Sequence, residues 1–437
     1  VRTSLTSVIA DEMGADWNFV KVVQAPGDDA YGNQNTDGSR SIRTIFEPMR
    51  KMGAMARMML IAAAAKQWEV GDDSCKAEKH HVVNQQTGER LFFGDLVEAA
   101  AQQLAPENPT FKNRKDFNYI GKELPSIDID DFTSGKAIYG MDVKIPGMKY
   151  AAVARCPVTF GTVRSFDATD TEKFPGVSQV LEIQRVEKPF GHLGGIAVIA
   201  DNSWSALKGK EALKIDWDFG DNGSYDTEAY METLKENVTK KGKLIQEKGD
   251  IEQAFQQADK IREAIYELPH LVHAPMEAPN ATARFENGIC EIWAPVQAPQ
   301  VTRKEVSELL EIDLENVTIH VTLLGGGFGR KSKPDFVLEA AWIAKETGAP
   351  VQVIWSREDD IRHSYYHAIS AQYLKGGLTR DGSVNAWLHR TAYPSITSTF
   401  MPGVVHGAGF EFQQGMTNLP YEIENQRFEN GEAPAHV

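Results

Sequence analysis

The chain has 437 residues, 42% of them hydrophobic, and a formal net charge of -15 at pH 7. That length exceeds one ordinary core and predicts two or three domains. The acidic surface repels nucleic acid and anionic membranes, which argues against either as the main partner. Cys75, Cys156 and Cys290 are scattered without a C-x-x-C pair, so no disulfide framework, structural zinc or iron–sulfur centre is expected in this chain.

No apolar run reaches the roughly 20 residues that cross a bilayer; the stretch MARMMLIAAAA at 55–65 reads as a buried helix and no transmembrane segment is expected. The start at Val1 without Met, and the end at GEAPAHV, suggest an excerpt whose C-terminal part is missing.

In chain order, residues 3–14 have helical spacing of Leu5, Val8, Ile9 and Met13 with Gly14 as a stop, and a short strand is expected at 19–26. A polar loop, GDDAYGNQNTDGSRS, leads into a long helix over 43–68, whose methionines 49, 52, 55, 58 and 59 are read as core packing. Residues 105–131 are rich in Pro, Asn and charge and read as a linker. From 133 to 220, strand-like runs punctuated by Gly and Pro, with one short helix at 202–213, predict a compact α+β domain. A charged helical stretch is expected from about 230 to 263. Beyond it, RFENGICEIW (284–293) predicts a hairpin turning at Asn287 and Gly288, and YLKGGLTRDGSVNAWL (373–388) repeats the device at Asp381 and Gly382. Between them lie a strand at 316–324, a helix at 335–348 ending on Gly348, and a strand at 349–355.

Two loops carry candidate chemistry. VTLLGGGFGRKSKPDF (321–336) sets Gly325, Gly326, Gly327, Phe328 and Gly329 between a strand and a helix. It lacks the G-x-G-x-x-G and G-K-S/T patterns, so neither a dinucleotide fold nor a Walker loop fits well. Taken alone, the glycines serve a tight turn or a ligand about equally; Arg330, Lys331 and Lys333 tilt them toward an anion. GNQNTDGSRSI (32–42) places Gly38, Ser39, Arg40 and Ser41 just ahead of the long helix, where backbone N–H groups, hydroxyls and a guanidinium suit a phosphate or a polar heterocycle, or simply cap the helix. His363 and His367 have metal-ligand spacing on a helix without an evident third ligand, and read as structural. His80 and His81 are expected on the surface.

Four segments together resemble the molybdopterin-binding large subunits of the xanthine oxidase and aldehyde oxidase family. They are LPHLVHAPMEAPNATARFENGICEIWAPVQAPQ (268–300), GGGFGR with VIWSREDDIRH (353–363), SGKAIYGMDVKIPGMKYAAVARCP (134–157) and GSRSI. The last stands ahead of the third, an order that most resembles isoquinoline 1-oxidoreductase beta subunits and related periplasmic aldehyde dehydrogenase subunits.

The resemblance implies an α+β (mixed α/β) fold: a molybdopterin-binding segment and linker over 1–125, an α/β hammerhead domain over 126–222, and a first molybdopterin-binding domain over 223–437. It implies molybdenum held by a pterin dithiolene, as molybdopterin cytosine dinucleotide, with no protein metal ligands. The implied reaction hydroxylates an aldehyde or N-heteroaromatic carbon with water. Electrons would pass to a small 2Fe-2S partner subunit and onward to a cytochrome c subunit, in the periplasm. By the same resemblance Gln297 and Phe328 stand at the catalytic centre, and Gly38, Ser39, Arg40, Ser41 and residues Gly325 to Arg330 hold the cofactor. The family's catalytic glutamate has no match here; Glu432, in NGEAPAHV, has the wrong surroundings. A nucleotide- or NAD-binding enzyme built on 317–355, and a truncated non-catalytic subunit, are the competing expectations.

Overall fold

The computed structural model describes residues 1–436, so Val437, the last residue of the expected third domain, lies outside the described residues. The chain divides into two compact units, one of residues 1–139 with 297–300, the other of residues 140–296 with 301–437.

In the first unit, helices Arg2–Met13, Phe46–Trp68 and Phe93–Ala101 enclose a core with an antiparallel three-stranded sheet, Cys75–Glu78, His81–Asn84 and Arg90–Phe92. Gly14 ends the first helix in the left-handed region at φ 73°, as its lack of a Cβ permits. The long helix buries Ala54, Ala63, Ala64 and Ala65 rather than its methionines, and Met52 stays 57% exposed. The reason is close approach: a Cβ on Gly53 would sit 2.8 Å from Glu12 Cβ, so small side chains face the first helix.

Two buried carboxylates knit the rest of this unit. Glu12 receives Arg50 at 2.6 Å and Arg57 at 3.0 Å, while Asp11 accepts the backbone N–H groups of Asn118, Tyr119 and Ile120. The stretch read as a linker thus has little regular structure yet is fastened by these bonds. The strand expected at 19–26 does not form: Asp16 caps a 3-10 turn, Trp17–Phe19, and irregular backbone follows without a neighbouring strand to pair with. His80 is half-buried, accepting the Asp16 N–H on Nδ1 at 3.1 Å.

The second unit is built on a seven-stranded mixed sheet in the spatial order Val317–Val321, Ile289–Ala294, Asn280–Glu286, Val351–Ile354, Lys149–Ala154, Gly195–Ala200, Val177–Ile183. Every residue of Gly195–Ala200 is buried, the signature of an apolar strand covered on both faces. Helix Asp335–Thr347 packs Phe336, Val337, Ala340, Ala341 and Ala344 into the same core and ends at Gly348, φ 64°. Asn287 and Gly288 both take positive φ, 51° and 79°, the turn that matches strand twist in a two-residue hairpin.

This unit also holds a two-stranded sheet, Thr162–Asp167 with Lys214–Asp218, and a five-stranded sheet in the order Lys260–Leu268, Ser370–Leu378, Val384–Ala392, Asn425–Asn430, Lys243–Lys248. The charged helical stretch expected up to 263 therefore splits into helices Thr227–Thr239 and Ile251–Gln257 and two strands. Partners far along the chain decide this, because Lys243–Lys248 pairs with Asn425–Asn430 and Lys260–Leu268 with Ser370–Leu378. The mixed helix-and-sheet class expected from the sequence is what the chain adopts.

Candidate functional site

In the second unit the glycine loop leaves strand Val317–Val321 and passes through a 3-10 turn, Arg330–Ser332, before helix Asp335–Thr347 begins. Gly326 and Gly329 take φ of 92° and 101°, which only glycine adopts at no steric cost. Phe328 between them also lies in the left-handed region, at φ 53°, and its ring is 69% exposed. The loop thus turns a bare backbone and one aromatic ring outward.

Its cations point the other way. Arg330 is fully buried and meets Asp335 through two bonds of 2.8 Å, with Trp355, Tyr365 and Phe336 rings about its guanidinium at 5.1, 5.4 and 5.8 Å. Lys331 is fully buried and bonds Glu277 at 2.8 Å. Lys333 donates to Thr399 Oγ1 at 2.6 Å and lies 4.0 Å from the Phe400 ring centre. The sequence reading that these cations turn the loop toward an anion is therefore corrected for Arg330 and Lys331, whose charges are met by buried carboxylates.

Glu277, in the MEAPN segment, organises the loop. Its Oε2 accepts the Gly325 N–H at 3.0 Å as well as Lys331, its Oε1 accepts the Met141 N–H at 3.1 Å, and its own N–H donates to Gly325 O at 2.9 Å. Burial works to raise this carboxyl, but Lys331 and the Gly325 N–H outweigh it and hold it below the usual carboxylate range. A Cβ on Gly325 would lie 2.5 Å from Glu277 Cβ, so only glycine fits there. Next to it, the Arg357 guanidinium binds Pro275 O at 2.6 Å and Met276 O at 3.1 Å while pairing with buried Asp360.

The rings of His273 and His367 lie with centres 4.4 Å apart, tilted 31° to each other. Burial, with the His367 and Arg330 charges adding to it, drives His273 down to about 4. His363 instead packs edge-on against Trp355, 6.4 Å away, so the two histidines considered as a metal pair face different partners.

In the first unit, the loop carrying GNQNTDGSRS is held against residues 297–300. Thr36 N–H donates to Gln297 O at 2.9 Å, and Gln297 Nε2 returns a bond to Thr36 O at 2.6 Å. Gln34 N–H donates to Gln300 Oε1 at 3.0 Å, and Gln300 Nε2 to Asp29 at 2.7 Å. Gln297 and the loop bearing Gly38, Ser39, Arg40 and Ser41, assigned from separate motifs, are thus brought together. Gly38 and Ser39 take φ of 44° and 58° and open a helix of only four residues, Arg40–Arg43. Arg40 is half-exposed, 3.8 Å from Asp37, while Ser41 is buried. The buried oxygens Gln34 Oε1, Asn35 Oδ1 and Asp37 Oδ1 accept no hydrogen bond.

Sequence reasoning missed Glu277 and Asp335 as the carboxylates that neutralise the glycine loop. The signal was present only as letters: an acidic residue in MEAPN and another just past Pro334.

Residues 231–431 match the family model described as the molybdopterin cofactor-binding domain. The chain is 28% identical to the isoquinoline 1-oxidoreductase subunit beta of Brevundimonas diminuta, over 92% of this chain and 57% of that protein. It is 28% identical to the membrane-bound aldehyde dehydrogenase [pyrroloquinoline-quinone] of Gluconacetobacter polyoxogenes, over 97% of this chain and 54% of that protein. The chain therefore spans a little over half the length of these relatives. Among solved structures, it shares its fold with an aldehyde oxidoreductase from Desulfovibrio gigas, at 16% identity and a TM-score of 0.56, covering 71% of this chain and 38% of that one. A Cu,Mo-CO dehydrogenase matches at 19% identity and a TM-score of 0.54, over 72% of this chain and 45% of that one.

Proposed function

We propose that the chain is most of the large subunit of a molybdenum hydroxylase, which oxidises an aldehyde or N-heteroaromatic carbon with oxygen taken from water. The observation that carries the reading is the outward, uncharged glycine loop 325–329 lying inside the span that matches a molybdopterin cofactor-binding domain. The names of the relatives, an isoquinoline oxidoreductase and an aldehyde dehydrogenase, support the two substrate classes.

The residues fit such a cofactor. The loop's cations are internally paired, which suits a neutral pterin ring better than a bare phosphate. Buried oxygens of Gln34 and Asn35 that accept no hydrogen bond suit a group rich in N–H donors. When bound, the molybdenum pterin supplies the oxidising metal and the water-derived oxygen. In this account the backbone of Gly325 to Gly329 admits the pterin closely and Phe328 excludes water beside it. Gln297, steadied by its bond to Thr36 O, would stand beside the metal's oxygen ligand. Gly38, Ser39, Arg40 and Ser41 hold the phosphate end of a cytosine dinucleotide form. Electrons leave to a small 2Fe-2S subunit, with a cytochrome c subunit as onward acceptor in the periplasm. A nucleotide enzyme built on the same loop is less well supported, since Arg330 and Lys331 have no charge to offer a phosphate.

The test is isotopic. The chain, matured with its partner subunit, is given isoquinoline in ¹⁸O-water with an artificial electron acceptor. Product carrying one ¹⁸O supports the reading. Oxidation without label, or dependence on added pyrroloquinoline quinone or NAD, overturns it.

A further inference from the structure

The contacts of Glu277 gather segments that are far apart in sequence: the backbone at Met141, its own MEAPN segment, and both ends of the glycine loop at Gly325 and Lys331. Its two oxygens are fully used, and Glu277 and Gly325 also pair main chain to side chain and main chain to main chain. The neighbouring Pro275 and Met276 carbonyls are fixed from the opposite direction by Arg357. Phe328, in its unfavourable left-handed conformation, sits at the tip of what these bonds hold. Such a conformation persists only where surrounding contacts over-determine it.

We infer that Glu277 is a positioning residue: through its bonds to the Gly325 and Met141 N–H groups, more than through its charge, it sets where the glycine loop meets the cofactor. The inference rests on the reading of this loop as a molybdopterin contact. The ion pair with Lys331 keeps the carboxylate ionised and in place, and the two backbone bonds transmit that placement to the loop.

Two double variants separate these roles. Glu277→Gln with Lys331→Met removes both charges and keeps one acceptor oxygen, which serves one of the Gly325 and Met141 N–H groups and not both; Glu277→Ala with Lys331→Met removes both charges and every acceptor. Two readouts apply to the chain matured with its partner: amide hydrogen exchange in peptides covering 138–145 and 321–331, and the Mo(V) electron paramagnetic resonance spectrum. The expected result for the glutamine pair is near wild-type exchange in one of the two peptides, the one whose N–H the amide oxygen still accepts. For the alanine pair, exchange should be on the order of tenfold faster in both peptides, with a shifted spectrum. Equal behaviour of the two double variants overturns the inference. Should the alanine pair fail to fold, Glu277→Asp replaces it, with the charge kept and the reach shortened by one methylene. Faster exchange in 138–145 then supports the role, and wild-type exchange overturns it. Exchange is readable without molybdenum, so a wild-type chain lacking the metal defeats the proposed function while the exchange arm still decides this one.

Discussion

Arg330 and Asp335 face each other through both guanidinium Nη atoms and both carboxylate oxygens, at 2.8 Å each, with Arg330 at 0% and Asp335 at 2% exposure. Trp355, Tyr365 and Phe336 surround the guanidinium. The pair closes the C-terminal end of the glycine loop onto the first turn of helix Asp335–Thr347, so a residue that looks like a ligand contact in the sequence serves as a buried strut. Stranding one member of such a pair leaves a buried charge without compensation. Asp335→Asn should destabilise the chain by roughly 3–5 kcal/mol, and adding Arg330→Met should recover a good part of that. Urea unfolding followed by tryptophan fluorescence reads both; a single variant within about 1 kcal/mol of wild type would show that the pair carries little.

Gly325 is the second point of constraint. A Cβ there would meet Glu277 Cβ at 2.5 Å. Gly325→Ala should therefore cost about 1–3 kcal/mol through displacement of the loop and lower the cofactor content of the purified protein. Retained content and unchanged stability would mean that the loop has room to shift.

Phe328 couples stability and function in opposite directions. Phe328→Gly removes the cost of a left-handed L-residue, about 1–2 kcal/mol, and adds a similar cost in unfolded-state freedom. Stability should stay within about 1 kcal/mol of wild type while turnover falls on the order of tenfold, through loss of the ring proposed to stand beside the reacting centre. Steady-state kinetics beside a melting curve checks it: a large loss of stability would place the ring in a packing role.

The pH dependence follows from buried imidazoles. Burial pushes His192, His273 and His389 down to about 4 and His363 to about 3, alone at His389 and helped or opposed by nearby charges at the other three. These four groups stay neutral in the folded chain while the unfolded chain titrates near 6.5. Between pH 6.5 and about 4 the unfolded state binds more protons, so stability is full above 6.5 and is lost progressively as pH falls through that window. Urea midpoints at pH 7.5, 6 and 5 should decline in that order; a flat profile would contradict the burial of these rings.

Much of the fold was legible where short-range signals decide it. Asn287–Gly288 fixed its hairpin because both positions must take positive φ, and Gly14 and Gly348 marked helix ends because each needs the left-handed region. The apolar run at Gly195–Ala200 lies within the stretch read as strand-like, and the structure buries every residue of it. The strands Lys243–Lys248 and Lys260–Leu268 were not legible, since their charged sequences carry no period and their pairing partners lie over 100 residues away. At the candidate site, the glycines and Gln297 announced themselves by pattern. The carboxylates of Glu277 and Asp335, which turn the loop's cations inward, did not, because a charge's partner is set by tertiary placement rather than by spacing.

The central claim is that this chain carries a molybdenum pterin, and metal analysis of the complex purified natively from cells supplied with molybdate tests it most directly. The account predicts near-stoichiometric molybdenum, with a pterin and a cytosine nucleotide released on denaturation. A fully folded, properly matured complex without molybdenum, or one releasing pyrroloquinoline quinone or NAD instead, would contradict it.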